Sequence, residues 1–95
     1  MKSSKYKLIL KPQFQKDLSN LPKNTRERIK EKLAEFKLKL NDYQLNPRQH
    51  NKTKFITQEK IWRLRIGNYR AFFDINGKTL YFQTVLHRKK AYKQK

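Results

Sequence analysis

The chain contains no cysteine, so no disulfide can brace its fold and a thiolate zinc site is excluded. Histidine is nearly as scarce: His50 and His87 alone fall short of a metal constellation, and no metal site is expected. Acidic residues number seven against 25 lysines and arginines. Long apolar runs are missing too. Behind the basic opening, Leu8-Ile9-Leu10 is too short for the apolar core of a signal peptide or for a membrane span. A cysteine-free chain with no export signal reads as cytoplasmic, with no membrane partner. No internal repeat and no Gly/Ser/Pro-rich linker divides the sequence. Its 95 residues therefore read as a single domain, 1–95, close to the lower limit for burying a core unaided.

What is abundant is positive charge. The net charge is +18 and the pI about 10.4. Self-repulsion on this scale opposes compaction, so a partner of opposite sign is implied: nucleic acid, an anionic surface or an acidic protein. High charge also raises the prospect of disorder. The twelve aromatic residues, concentrated in the second half, argue against it.

Hydrophobic spacing predicts the elements. Tyr6 to Lys11 reads as a short strand stopped by Pro12, which cannot continue a ladder. Phe14, Leu18 and Leu21 recur at helical spacing, predicting a helix over Gln13 to Asn20. Pro22 suits the first position of a second helix. In that helix, Lys23 to about Leu40, residues Ile29, Leu33, Phe36 and Leu40 form one face, and Glu35 and Lys39 are spaced to pair. Asn41 to Lys60 has no period and reads as a loop or irregular extension. Three alternating runs follow: Ile61 to Ile66, Tyr69 to Ile75 and Thr79 to His87. The pairs Gly67-Asn68 and Asn76-Gly77 between them suit tight hairpin turns. A basic tail, Arg88 to Lys95, closes the chain. The expected fold is α+β, in the order β-α-α-β-β-β, with two helices on one face of a small, mainly antiparallel, twisted sheet.

Two-residue turns fix register. Across Gly67-Asn68, Arg65 opposes Arg70 and Arg63 opposes Phe72. Across Asn76-Gly77, Phe73 is expected opposite Leu80, Phe72 opposite Tyr81, Ala71 opposite Phe82 and Arg70 opposite Gln83. One face then holds Trp62, Leu64, Ile66, Ala71, Phe73, Ile75, Leu80, Phe82 and Leu86. The other holds Arg63, Arg65, Arg70, Phe72, Tyr81, Gln83 and His87, with Asp74 its one acid. Arginines directly opposite each other weaken a sheet. A bound phosphate would resolve the conflict, because guanidinium forks match phosphate oxygens. Phe72 and Tyr81 offer rings on which a base could stack. Lys52, Lys54, Lys60, Lys89 and Lys90 would add docking charge. Solvent exposure of this face is the expectation.

From Trp62 to Arg70 the sequence Trp-Arg-Leu-Arg-Ile-Gly-Asn-Tyr-Arg resembles a strand pair that recurs in RelE/ParE-superfamily toxins. The ending Leu86-His87-Arg88-Lys89-Lys90-Ala91-Tyr92 resembles their closing His-Arg-x-x-x-Tyr. The resemblance implies a RelE-like fold, a type II toxin–antitoxin system and no cofactor. It also implies an acidic antitoxin as partner and, for RelE-like members, cleavage of mRNA on the ribosome by attack of a 2′-hydroxyl on the adjacent phosphate. It places active-site roles on Arg70, Arg88 and Tyr92, and on the basic pair Arg63 and Arg65. The best-known RelE pattern has lysines where Arg63 and Arg65 stand, and the spacing from Arg88 to Tyr92 is shorter here. Arginine keeps its proton at neutral pH and cannot act as a general base. That task would fall to Lys54, Lys60 or His87, among which the sequence does not choose. Two other readings stay open: a ParE-like toxin that inhibits gyrase without nuclease activity, and a basic RNA-binding module that is not a toxin.

Overall fold

Pro12 ends the first strand and opens the first helix, as its locked φ and missing N–H dictate. In the computed structural model, which describes residues 5–92, that strand is β1 (Lys7–Leu10) and the helix α1 (Pro12–Ser19). Helix α2 (Lys23–Asp42) follows Pro22, which caps it from outside rather than filling its first turn. Glu35 pairs with Lys32 at 3.5 Å instead of with Lys39. Beyond α2 lie a short 3-10 turn (Pro47–Gln49) and strand β2 (Thr53–Ile56). Then come β3 (Ile61–Ile66), β4 (Tyr69–Asn76), β5 (Thr79–His87) and a final helix α3 (Arg88–Tyr92).

Two expectations are corrected at this level. The stretch 41–60 is not simply a loop, for β2 pairs antiparallel with β3 through a turn at 57–60. The basic tail likewise begins as a helix, α3. The sheet has the order β1-β5-β4-β3-β2, with β1 parallel to β5 and the other pairs antiparallel.

The core lies between the helices and one sheet face. Phe14 and Leu18 of α1 and Ile29, Leu33, Phe36 and Leu40 of α2 cover Leu64, Ile66, Ala71, Phe73, Leu80, Phe82 and Val85. Trp62 packs at its margin. The C-terminal end of α2 is tied to β1 by Asn41, whose Oδ1 accepts the Tyr6 N–H at 2.7 Å.

The β3–β4 hairpin has the expected register, with Gly67 first in the turn at φ +57°. The β4–β5 hairpin does not. Its turn residues are Gly77 and Lys78, so Asn76 pairs with Thr79, Ile75 with Leu80 and Phe73 with Phe82. Gly77 takes the first turn position at φ +62°, a conformation that suits glycine far better than asparagine. A bulge between Phe72 and Phe73 then shifts the pairing again, setting Phe72 opposite Thr84, Arg70 opposite Leu86 and Tyr69 opposite His87. One extra residue in β5 reverses the facing of everything after it. Val85, not Leu86, therefore enters the core. Leu86 and His87 exchange the faces expected of them.

Asp17 secures the bulge. Past Phe82, strand β1 has ended and α1 lies beside β5 instead. The Asp17 carboxylate accepts the Val85 N–H at 3.2 Å and the Thr84 hydroxyl. A side chain thus replaces the missing neighbour strand at a backbone donor that must be satisfied.

Candidate nucleic-acid interface

Pairing of β2 with β3 sets Lys54 opposite Arg63, and pairing of β3 with β4 sets Arg65 opposite Arg70. The Lys52 carbonyl accepts the Arg65 N–H at 2.9 Å, which brings Lys52 beside them. The result is an open groove of about 320 Å³ lined by Asn51, Lys52, Thr53, Lys54, Arg63, Arg65 and Arg70. Five of these seven side chains are cations, and no carboxylate is among them. Such a concentration of one sign attracts a polyanion and raises its local concentration.

The structure brings together Lys52, Lys54, Arg63, Arg65 and Arg70, and it separates the other predicted residues from them. Tyr81 opposes Asp74, four residues along β4 from Arg70, or roughly 13 Å away at strand spacing. Lys60 occupies the β2–β3 turn at φ +53° and lies outside the groove. Arg88, Lys89 and Lys90 are exposed on α3. The Arg88 N–H is bonded to the Asn68 carbonyl at 2.7 Å, so β5 ends at His87 and Arg88 does not enter the core. Tyr92 ends α3, and its ring lies outside the described residues.

Three predicted site residues are placed differently from expectation. Arg70 has the expected facing but is only 5% exposed. Its Nη1 donates to the Gly67 and Tyr69 carbonyls, each at 2.8 Å, so the guanidinium braces the hairpin turn while bordering the groove. Phe72 is 7% exposed and offers no open ring for stacking. Helix α3 packs against β4 and β5 with Ala91 turned inward. His87 lies on the opposite face from Arg70, edge-on to the Tyr69 ring at 5.2 Å. Its Nδ1 accepts the Lys89 N–H at 3.1 Å, which caps the start of α3.

Nothing in the local pattern singles out His50, yet it is a buried polar residue beside the groove. It is 8% exposed and packed edge-on against Phe36 at 4.9 Å. Its Nδ1 accepts the Lys52 N–H at 3.0 Å. Burial, and then the charges of Lys39 and Lys52, hold its pKa below the usual imidazole value. Among the described residues, no three His, Asp or Glu side chains gather as a metal ion would require, and no helix is long and apolar enough to cross a membrane.

A two-helix layer on one sheet face and a cation-lined groove beside the other define a small basic α+β domain suited to an anionic polymer. Comparison with known proteins gives its family. Residues 8–92 match the model of the ParE toxins of type II toxin–antitoxin (parDE) systems. The chain is 36% identical over 86 residues to Toxin RelE3 of Methanocaldococcus jannaschii, covering 90% of this chain and 94% of that one. It superposes on the toxin–antitoxin complex RelB–RelE from Methanococcus jannaschii with TM-score 0.64 and 32% identity, over 88% of this chain and 94% of that one. The archaeal RelE–RelB complex from Pyrococcus horikoshii OT3 shares the fold, with TM-score 0.63 and 22% identity over 90% and 97% of the two chains. The chain belongs to the RelE/ParE toxin superfamily of type II toxin–antitoxin systems.

Proposed function

We propose that this toxin is a cytoplasmic, ribosome-dependent mRNA endoribonuclease acting through one domain that spans residues 1–95. The observation that carries the reading is the groove in which Lys52, Lys54, Arg63, Arg65 and Arg70 converge with no carboxylate among the lining residues. An RNA backbone would bring negative charge to these cations. In the reaction the 2′-hydroxyl oxygen bonds to the adjacent phosphorus while the bond from phosphorus to the 5′-oxygen breaks. The hydroxyl proton passes to a base, and the departing 5′-oxygen takes up a proton. Charge builds on the phosphoryl oxygens in between, where the guanidinium groups of Arg63, Arg65 and Arg70 stabilise it. Of the three candidate bases, Lys54 alone lines the groove, and it is the one we assign. The closing motif implies active-site roles for Arg88 and Tyr92 on α3, with Lys89 and Lys90 contacting the RNA, and Lys60 and Tyr81 extend the contact further out.

An acidic antitoxin is the second proposed partner. The RelE relatives from Methanococcus jannaschii and Pyrococcus horikoshii are held in complexes with RelB, and a chain at +18 needs a cover of opposite charge. Association should be fast at low salt and slow as salt rises.

The family match to ParE toxins keeps a second reading in view, inhibition of gyrase without RNA cleavage. A translation reaction with end-mapped mRNA separates the two. Cuts inside codons that require ribosomes support the ribonuclease. Intact mRNA with loss of gyrase supercoiling activity selects the alternative.

A further inference from the structure

The cationic groove has a mechanical weakness. β2 is a four-residue edge strand, and its pairing with β3 sets Lys54 against Arg63 and Lys52 beside Arg65. Like charges facing each other across strands push them apart. A short edge strand under such repulsion needs an anchor outside its own ladder.

The structure supplies one at the Lys52 peptide. Its carbonyl accepts the Arg65 N–H at 2.9 Å, on the β3 side. Its N–H points the other way, to the Nδ1 of His50 at 3.0 Å. The next residue continues the clamp: the Thr53 N–H donates to the His50 carbonyl at 3.1 Å, and the Thr53 hydroxyl to the carbonyls of Pro47 and His50. His50 is itself fixed, nine-tenths buried against the Phe36 ring of α2. The chain of contacts runs from the core helix through an imidazole to Lys52 and the strand that follows it, which together supply two of the five groove cations.

We propose that His50 is a positioning residue: its unprotonated Nδ1 latches the Lys52 amide and so holds β2 in the register that sets Lys52 and Lys54 against Arg65 and Arg63. The proposal rests on the reading of the groove as the RNA site. A backbone amide can only donate, so the acceptor nitrogen carries no proton while the latch is closed. Protonating it would break the bond and add a cation among Lys32 and Lys39 of α2, Lys52 of the loop and Arg65 of β3, with Glu35 the one carboxylate lining that cavity. Burial, Lys39 and Lys52 depress the folded-state pKa below 6.5. The unfolded chain therefore takes up this proton first. The latch's contribution is fully present above about pH 6.5 and is lost as pH falls through the folded-state value.

Two substitutions separate latch from packing. His50→Asn keeps an acceptor oxygen near the Nδ1 position and loses the ring. His50→Phe keeps a ring against Phe36 and loses the acceptor. Affinity for a labelled single-stranded RNA oligomer is read at pH 7.5 and at pH 5.5, with exchange of the Lys52 amide followed by NMR. At pH 7.5 His50→Phe should bind about tenfold more weakly, the scale of one lost hydrogen bond, and its Lys52 amide should exchange faster. His50→Asn should stay near wild type, and the ratio of its affinity to that of wild type should rise at pH 5.5. Ring-nitrogen shifts of the wild-type protein should show a bare Nδ1 at neutral pH. His50→Phe behaving as wild type while His50→Asn fails would make His50 a packing residue and overturn the proposal. A protonated Nδ1 at neutral pH would do the same, without any variant having to fold. Should the wild-type toxin bind no RNA, the reading of the groove falls, whereas the NMR signatures still judge the latch.

Discussion

The two faces of the sheet are built on opposite terms. On the helix side, thirteen buried apolar residues from α1, α2 and three strands meet with no charged partner among them. On the other side, five cations share a groove, and Phe72 of β4 and Ala91 of α3 are buried outside the main core. The first face stabilises the domain and gains nothing from a ligand. The second is held together against its own repulsion by hydrogen bonds from side chain to backbone: Arg70 to the turn carbonyls and the Lys52 amide to His50. Stability and function are thus separable by face, with Arg70 the residue that belongs to both accounts.

The largest effect should come from the helix side. Phe73 is fully buried, against Phe36 and Phe82, and Phe73→Ala should cost about 3–5 kcal/mol in denaturant titration. For a domain of this size that is a large part of the total. A loss under 1 kcal/mol would mean the two faces are not divided as described.

Arg70→Ala should affect both properties. Removing a buried guanidinium that braces two carbonyls should cost about 1–3 kcal/mol of stability. This reverses the expectation from charge repulsion alone, by which stability should hold level or rise. Cleavage on ribosomes should fall by about a hundredfold or more, the scale for losing one transition-state charge contact. A stable variant with normal cleavage would remove Arg70 from both roles. Asp17→Ala should give the smallest change, about 1–2 kcal/mol, because it unpairs the Val85 amide and the Thr84 hydroxyl at the bulge. RNA binding should be untouched; a matching loss of RNA affinity would show that the bulge shapes the groove as well.

The two hairpins explain what the sequence could and could not reveal. In the β3–β4 hairpin, Trp62 to Ile66 alternate strictly and Gly67 marks the turn, so the register and the Arg65–Arg70 pair are legible. In the β4–β5 hairpin the same rule, glycine first in the turn, would have chosen Gly77-Lys78 over Asn76-Gly77. The bulge also left a trace: Leu80 and Phe82 lie on even positions, whereas the next core residue is Val85, on an odd one. Strict alternation would have placed the polar Thr84 in the core. Strand β2 was hidden because four residues are too few to show a period. The burial of Arg70 and Phe72 was not legible, since alternation assigns a face but not what packs on it, and Arg88 to Ala91, which packs on β4 and β5, has the composition of a solvated tail. His50 gave no signal, since its role depends on an amide two residues away and on a helix face fourteen residues back. Pairing and face assignment can be read from local pattern; cover and anchoring depend on elements distant in the chain.

The proposed ribonuclease activity requires the groove between β2, β3 and β4 to engage RNA. Lys54 and Arg65 are both exposed on it, so reversing their charge in Lys54→Glu/Arg65→Glu should leave the apolar face and the unfolding transition nearly unchanged. The decisive measurement is end-mapping of mRNA in a translation reaction with wild-type and doubly reversed toxin at equal folded concentration. A catalytic RNA groove there should give ribosome-dependent cuts within codons by the wild type and a loss of about a hundredfold or more in the variant. Equal cutting by the two proteins would contradict it.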